Sequence, residues 1–135
     1  MKLYLKSQRL LRVQIENDHA VNVIERYDSE ETLFYCDPPY PHSSRGDSRA
    51  YRYEMTDYEH VELSRTLKSV KGKVALSGYH CNLLDDLYGD WATIEAPAKR
   101  VHSVKTERVQ VLWVNYDISA ENEIQWQMTL QKSFV

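Results

Sequence analysis

Thr32-Leu33-Phe34-Tyr35-Cys36-Asp37-Pro38-Pro39-Tyr40 is the stretch on which the reading of this chain turns. Thr32 to Cys36 is continuous and rich in β-favouring side chains, with no polar alternation. That is how a strand buried in a parallel sheet reads. Pro38 and Pro39 carry no backbone N–H and cannot extend a ladder, so the chain must leave the sheet at Asp37. The segment therefore predicts a buried strand that delivers a carboxylate, two prolines and a tyrosine to the carboxyl end of a sheet.

Upstream, Arg12 to Asn17 alternates Val13 and Ile15 against Arg12, Gln14 and Glu16, which predicts a short strand. Ala20 to Tyr27 places Ala20, Val23, Ile24 and Tyr27 at helical spacing and ends near Asp28-Ser29. Downstream, Pro41 to Met55 is a long polar loop, of the length that functional loops have in compact domains. Thr56-Asp57-Tyr58-Glu59 has the capping-box pattern and opens a helix with Leu63, Leu67 and Val70 on one face, stopping at Gly72. Lys73 to Ser77 predicts a second apolar strand, followed by Gly78-Tyr79-His80. Asn82 to Tyr88 predicts a short helix. Ala92 to Ala96 and Arg108 to Tyr116 predict an antiparallel pair joined by the basic loop Pro97 to Thr106. Beyond Asp117 only Ile124, Trp126 and Met128 alternate, like an edge strand. Strands alternating with helices make this an α/β chain, and in open sheets of that kind ligands sit outside the carboxyl ends of the strands.

The whole chain sets the limits. Its 135 residues amount to one domain or part of a larger one, and 42% hydrophobic content is enough for a packed core. A formal charge of −3 argues against nucleic-acid affinity resting on global positive charge, though a local basic strip is compatible with it. No apolar run is long enough to span a membrane, and the start lacks the apolar stretch of a signal peptide. Cys36 and Cys81 have no metal-ligand spacing and read as free thiols in a reducing compartment, so a cytoplasmic location is expected. The five histidines show neither i, i+4 pairing nor clustered carboxylates, so no metal site is expected.

Asp37-Pro38-Pro39-Tyr40 has a definite chemical capacity. The carboxylate accepts hydrogen bonds, the proline carbonyls are acceptors on a stiff turn, and the tyrosine offers a flat aromatic wall. Two acceptors beside such a wall suit the exocyclic amine of a planar base. Holding both N–H groups would aim the nitrogen lone pair at an electrophilic methyl, which is catalysis by position and electrostatics rather than by proton abstraction.

Thr32 to Arg45 resembles motif IV and its following loop in the D12 class of adenine-specific DNA methyltransferases. The same family is resembled, in order, by Val13 to Asn17, by Met55 to His60 with Leu63, by Val74 to Tyr79, and by Glu107 with Val111 to Asn115. The likeness covers roughly residues 10–116. It implies part of a Rossmann-like sheet dependent on S-adenosylmethionine, with flanking helices and a C-terminal antiparallel hairpin, over residues 1–116, followed by a tail over 117–135. It also implies site-specific methylation of adenine N6 in DNA, as in restriction-modification. Asp37 and the Pro38 carbonyl would hold the amine, with Pro39 completing the catalytic motif, and Tyr40 would stack on a base flipped out of the duplex. Asn17, Asp18 and His19, together with Asp37, would meet the cofactor, although relatives commonly carry Asp where this chain has His19. Ser43, Ser44, Arg45, Arg49, Tyr51 and Arg52 in the long loop would grip nucleic acid by charge and stacking.

The family's Phe-x-Gly-x-Gly loop, which takes the methionine end of the cofactor, is not found. The four glycines are Gly46, Gly72, Gly78 and Gly89, none paired at that spacing. A truncated or split enzyme is therefore expected, acting on DNA with a complementary N-terminal half or as a homo-oligomer. The alternative is an inactive remnant or accessory half that binds a partner chain or nucleic acid. Among the other candidates, Lys99, Arg100, His102, Lys105 and Arg108 read as a solvated hairpin, His60 as helix surface or a structural hydrogen-bonder, Asp85 and Asp86 as a solvated face, and Cys36 as a buried apolar-like residue. His80 is a candidate for lining the cleft. Ser77 lacks the Gly-x-Ser-x-Gly setting of a hydrolase nucleophile.

Overall fold

A computed structural model describes residues 7–42, 54–96 and 109–118. Its elements are α1 (Ala20–Tyr27), β1 (Leu33–Cys36), α2 (Asp57–Ser69), β2 (Lys73–Tyr79), α3 (Asn82–Tyr88), β3 (Ala92–Glu95) and β4 (Gln110–Val114). The four strands form one sheet in the order β1-β2-β4-β3. β1 runs parallel to β2, with Cys36 opposite Leu76. β4 is antiparallel to both β2 and β3. The mixed sheet with flanking helices is the architecture expected for part of a methyltransferase domain, and the C-terminal pair is antiparallel as its sequence predicts.

Side-chain alternation sorts the sheet into two faces. Val74, Leu76, Val111 and Trp113 point to one face and pack with Ile24 of α1, Leu63 and Leu67 of α2, and Leu84 and Tyr88 of α3. α1, α2 and α3 thus lie on that face. Ala75, Ile94, Leu112 and Val114 point to the other and pack with Tyr116 and Ile118. Among the described residues Trp113 is the largest fully buried side chain. Its ring lies against Gly78, where an added Cβ would come within 3.0 Å of the indole and 3.1 Å of Leu84. Glycine at 78 is what lets α3 and the indole meet over β2.

Helix ends and strand starts are tied by local polar groups. α2 opens with a complete capping box: the Glu59 amide donates to Thr56 Oγ1 at 3.2 Å, and the Thr56 amide donates to the Glu59 carboxylate at 2.7 Å. At the other end, the Asp28 carboxylate accepts from the amides of Lys71 and Gly72 at 2.9 to 3.0 Å, joining the end of α1 to the start of β2. Asn115 closes β4 onto the same point, accepting from the Val74 amide at 2.7 Å and donating to the Gly72 carbonyl at 3.2 Å.

Two expectations are corrected. Arg12 to Asn17 is not a strand but irregular and exposed, with Val13 54% and Ile15 88% accessible. No described strand pairs with it. Instead it runs back along α1: Gln14 Nε2 donates to the Tyr27 hydroxyl at 2.7 Å, and Arg26 bonds both Glu16 and Asp18. β1 is not buried on both faces either. It is an edge of the described sheet, with Leu33 52% and Tyr35 58% exposed. Its apolar run marks one packed face, carried by Phe34 and Cys36. The alternation near 124–128 and the basic loop 97–106 lie outside the described residues.

Gly72 sits where α2 turns into β2, and a Cβ there would stand 2.8 Å from the Thr32 carbonyl and 3.0 Å from the Ser29 carbonyl. Both neighbours are backbone and cannot swing away. Gly72→Ala is expected to destabilise the domain by about 1–3 kcal/mol, read as a lower urea midpoint at unchanged slope.

Candidate active site

The carboxyl edge of the sheet is where the chain leaves β1 and β2. Each of α1 and α2 precedes its strand through a short connection and so runs antiparallel to it, which puts both helix N-termini at this same edge. The first turns are neighbours. The Glu59 carboxyl lies below the usual carboxylate range, mainly through its Thr56 hydrogen bonds, with the positive charge of His19 adding to the effect. Asn17 to His19, Asp37 to His42, Glu54 to Glu59 and Tyr79 to Asn82 thus gather at one end of the fold.

Asp37 stands one residue past the Cys36–Leu76 pair, and parallel register places it beside Ser77. The Ser77 hydroxyl, on a residue only 2% exposed, donates to Asp37 Oδ1 at 2.8 Å and lies 3.3 Å from the Cys36 carbonyl. The Tyr40 hydroxyl donates to the same Oδ1 at 3.2 Å. No described residue donates to Oδ2 or to the carbonyls of Pro38 and Pro39. Tyr40 is partly buried and meets Tyr79 edge-on, with ring centroids 5.0 Å apart. Burial, then the Asp37 charge, pushes its hydroxyl well above the ordinary tyrosine range, so it stays a donor. Burial pushes the Cys36 thiol up to about 11, which keeps it an inert, apolar-like neighbour. The arrangement is an exposed carboxylate with one oxygen tied down and one presented, on a stiff turn, beside an aromatic pair.

His42 Nε2 meets the Glu54 carboxylate across the two ends of the long loop. The loop residues singled out for nucleic acid, namely Ser43, Ser44, Arg45, Arg49, Tyr51 and Arg52, lie outside the described residues, as do Lys99 to Arg108. Of the segment assigned to the cofactor, Asp18 is engaged with α1. Its carboxylate accepts from the His19 amide at 2.7 Å, Asn22 Nδ2 at 3.0 Å and Arg26 Nη2 at 2.7 Å. The Asn22 and Arg26 bonds lead in holding it below the usual range. Asn17 and His19 are exposed, and the Asn17 amide meets no described residue, so these two side chains of the segment are open to a ligand.

The histidines divide. His60 is not on the surface: it is 2% exposed, on the face of α2 that also buries Leu63 and Leu67. His80 follows β2 and bridges two carboxylates, with Nδ1 2.6 Å from Asp85 and Nε2 3.2 Å from Glu95, and its ring lies edge-on to Trp113. Asp85 therefore has a partner rather than lying on a purely solvated face. Reading the sequence weighed Ser77 only as a hydrolase nucleophile and missed its link to Asp37, because the two lie 40 residues apart. No described helix is long and apolar enough to cross a membrane. Among the described residues no cluster of His, Cys, Asp and Glu could hold a metal ion.

The family model for D12 class N6 adenine-specific DNA methyltransferases matches residues 1–109. The chain belongs to that family, whose reaction is methylation of adenine in DNA. No curated protein matches the chain.

His80 gives a pH dependence. The Asp85 hydrogen bond, with Glu95 adding to it, raises its pKa against a smaller opposing effect of burial. A histidine raised on folding contributes in full below its unfolded value, about 6.5, and loses that contribution as pH rises through the folded value. Urea midpoints followed from about pH 5.5 to about pH 8.5 should show wild type losing its advantage over His80→Gln as pH rises. Parallel curves would remove the clamp from the account.

Proposed function

We propose that this D12-family chain grips the exocyclic amine of a flipped adenine in DNA with Asp37, Pro38 and Tyr40. The observation that carries the reading is the presented Oδ2 of Asp37, set on a proline turn beside the Tyr40 ring at the carboxyl edge of the sheet. One amine hydrogen would go to Oδ2 and the other to the Pro38 carbonyl, with Pro39 stiffening the turn. Satisfying both N–H groups leaves the nitrogen lone pair directed away from the acceptors, and fixed acceptors need no reorganisation as charge develops. Tyr40 supplies a stacking wall that any flipped base meets with its π face.

S-adenosylmethionine supplies the electrophilic methyl when bound. The open amide of Asn17 and the neighbouring His19, on the same edge as Asp37, fit its adenosine end, whereas Asp18 shapes the segment through α1. The loop for its methionine end has no counterpart in these 135 residues, so that end of the cofactor would be held by a segment from a complementary half. Ser43, Ser44, Arg45, Arg49, Tyr51 and Arg52 are proposed to hold the DNA strand around the base. The same missing loop favours one other reading, a chain that binds DNA or a partner without turnover.

The test uses a duplex with 2-aminopurine at the target position, tritiated S-adenosylmethionine and the chain with and without a partner carrying the Gly-rich loop. Tyr40→Ala should weaken capture of the flipped base by about 1–3 kcal/mol, seen as lost fluorescence enhancement. Asp37→Ala should lower transfer to an adenine duplex by about 10² or more. Base capture without transfer under either condition would select the non-catalytic reading. No effect of either substitution would sink the assignment.

A further inference from the structure

We propose that Ser77 is a positioning residue for the amine-gripping carboxylate, its buried hydroxyl holding Asp37 so that Oδ2 alone faces the target. This deepens the function proposed above and rests on it. The case starts in the sheet. Ser77 is the one hydroxyl within Lys73-Val74-Ala75-Leu76-Ser77, and at 2% exposure it cannot look to water for a partner. It has one proton to give and two acceptors nearby. The Asp37 carboxylate, at 2.8 Å against 3.3 Å for the Cys36 carbonyl, is both closer and charged, so it takes the proton.

An exposed aspartate past a strand end has little else to stop it turning. Its terminal torsion is broad and two-fold, so the two oxygens exchange places readily. Here both donors land on one oxygen. Tyr40 belongs to the same turn as Asp37 and moves with it, whereas Ser77 is built into the adjacent strand, whose backbone is paired with both β1 and β4. Ser77 is thus the donor that transfers the register of the sheet to the carboxylate. A misplacement of about 1 Å at a reacting centre is enough to cost roughly 10²-fold in rate.

The surroundings allow a discriminating variant. Ser77 lines a groove on the sheet face opposite α1, α2 and α3 with Tyr35, Ile94, Ala96, Gln110 and Leu112, so a change there alters a cavity wall and not the helix-packed core. Ser77→Thr keeps the hydroxyl and Ser77→Ala removes it, and a strand accepts either backbone.

The experiment follows the Asp37 side chain by NMR in the full chain labelled with 13C-aspartate, for wild type, Ser77→Ala and Ser77→Thr, with deoxyadenosine monophosphate as the probe. Amide spectra of β2 and β4 check that the sheet is intact. In wild type, one Asp37 rotamer and a carboxyl signal that moves with nucleotide are expected. In Ser77→Ala the couplings should average over rotamers and nucleotide affinity should fall about tenfold, a loss of about 1.4 kcal/mol. Ser77→Thr should restore both. An unchanged rotamer and affinity in Ser77→Ala, or a threonine variant that behaves like alanine, would overturn the proposal. A wild-type carboxyl signal that ignores the nucleotide would overturn the adenine reading instead. In that case a loosened Asp37 in Ser77→Ala would still support positioning, and a fixed one would count against it.

Discussion

The parallel pairing of β1 with β2 is the constraint on which the rest depends. With Cys36 opposite Leu76, the first residue past β1 must lie beside Ser77, and the turn that follows must sit over the end of β2. A shift by one residue would turn Asp37 toward the helix face and bring Phe34 and Cys36 out of the core, because side chains alternate. The core therefore enforces the site. Leu76, Val74 and Trp113 pack only in this register, and the position of the carboxylate is a by-product of keeping them buried.

The same economy runs through the helix ends. Asp28, Gly72 and Asn115 meet where α2 enters β2 and fix the amino end of the sheet, far from the chemistry. The opposite end is left with exposed carboxylate, amide and imidazole groups, held by short-range bonds rather than by burial. A rigid base and a polar rim is the usual division of labour between scaffold and site in open α/β sheets. The His42–Glu54 contact extends it, joining the two ends of the long loop that follows the Asp37 turn.

What the sequence disclosed follows from how local each signal is. The capping box at Thr56 was legible because both partners lie within four residues. The Asp37-Pro38-Pro39-Tyr40 turn was legible because proline's missing N–H is a property of the residue itself. The alternation in Arg12 to Asn17 misled because a strand needs a neighbour, and nothing in those six residues reveals whether one exists. They are taken up instead by Arg26 and Tyr27. β1 was read as doubly buried because an apolar run does not disclose a strand's place in its sheet. The link from Ser77 to Asp37 was missed because a lone serine in a strand has no local signature, and its meaning appears only once 36 and 76 are paired. His60 and His80 illustrate the same limit: one is buried and the other clamps two carboxylates, and no spacing rule separates them.

The central claim is that the turn after β1 holds adenine's exocyclic amine, and the most direct measurement is the identity of the methylated nucleoside. DNA incubated with the chain, a partner supplying the Gly-rich loop and tritiated S-adenosylmethionine would be digested to nucleosides and separated. The account predicts label in N6-methyl-2′-deoxyadenosine alone. Label in a cytosine derivative would contradict it.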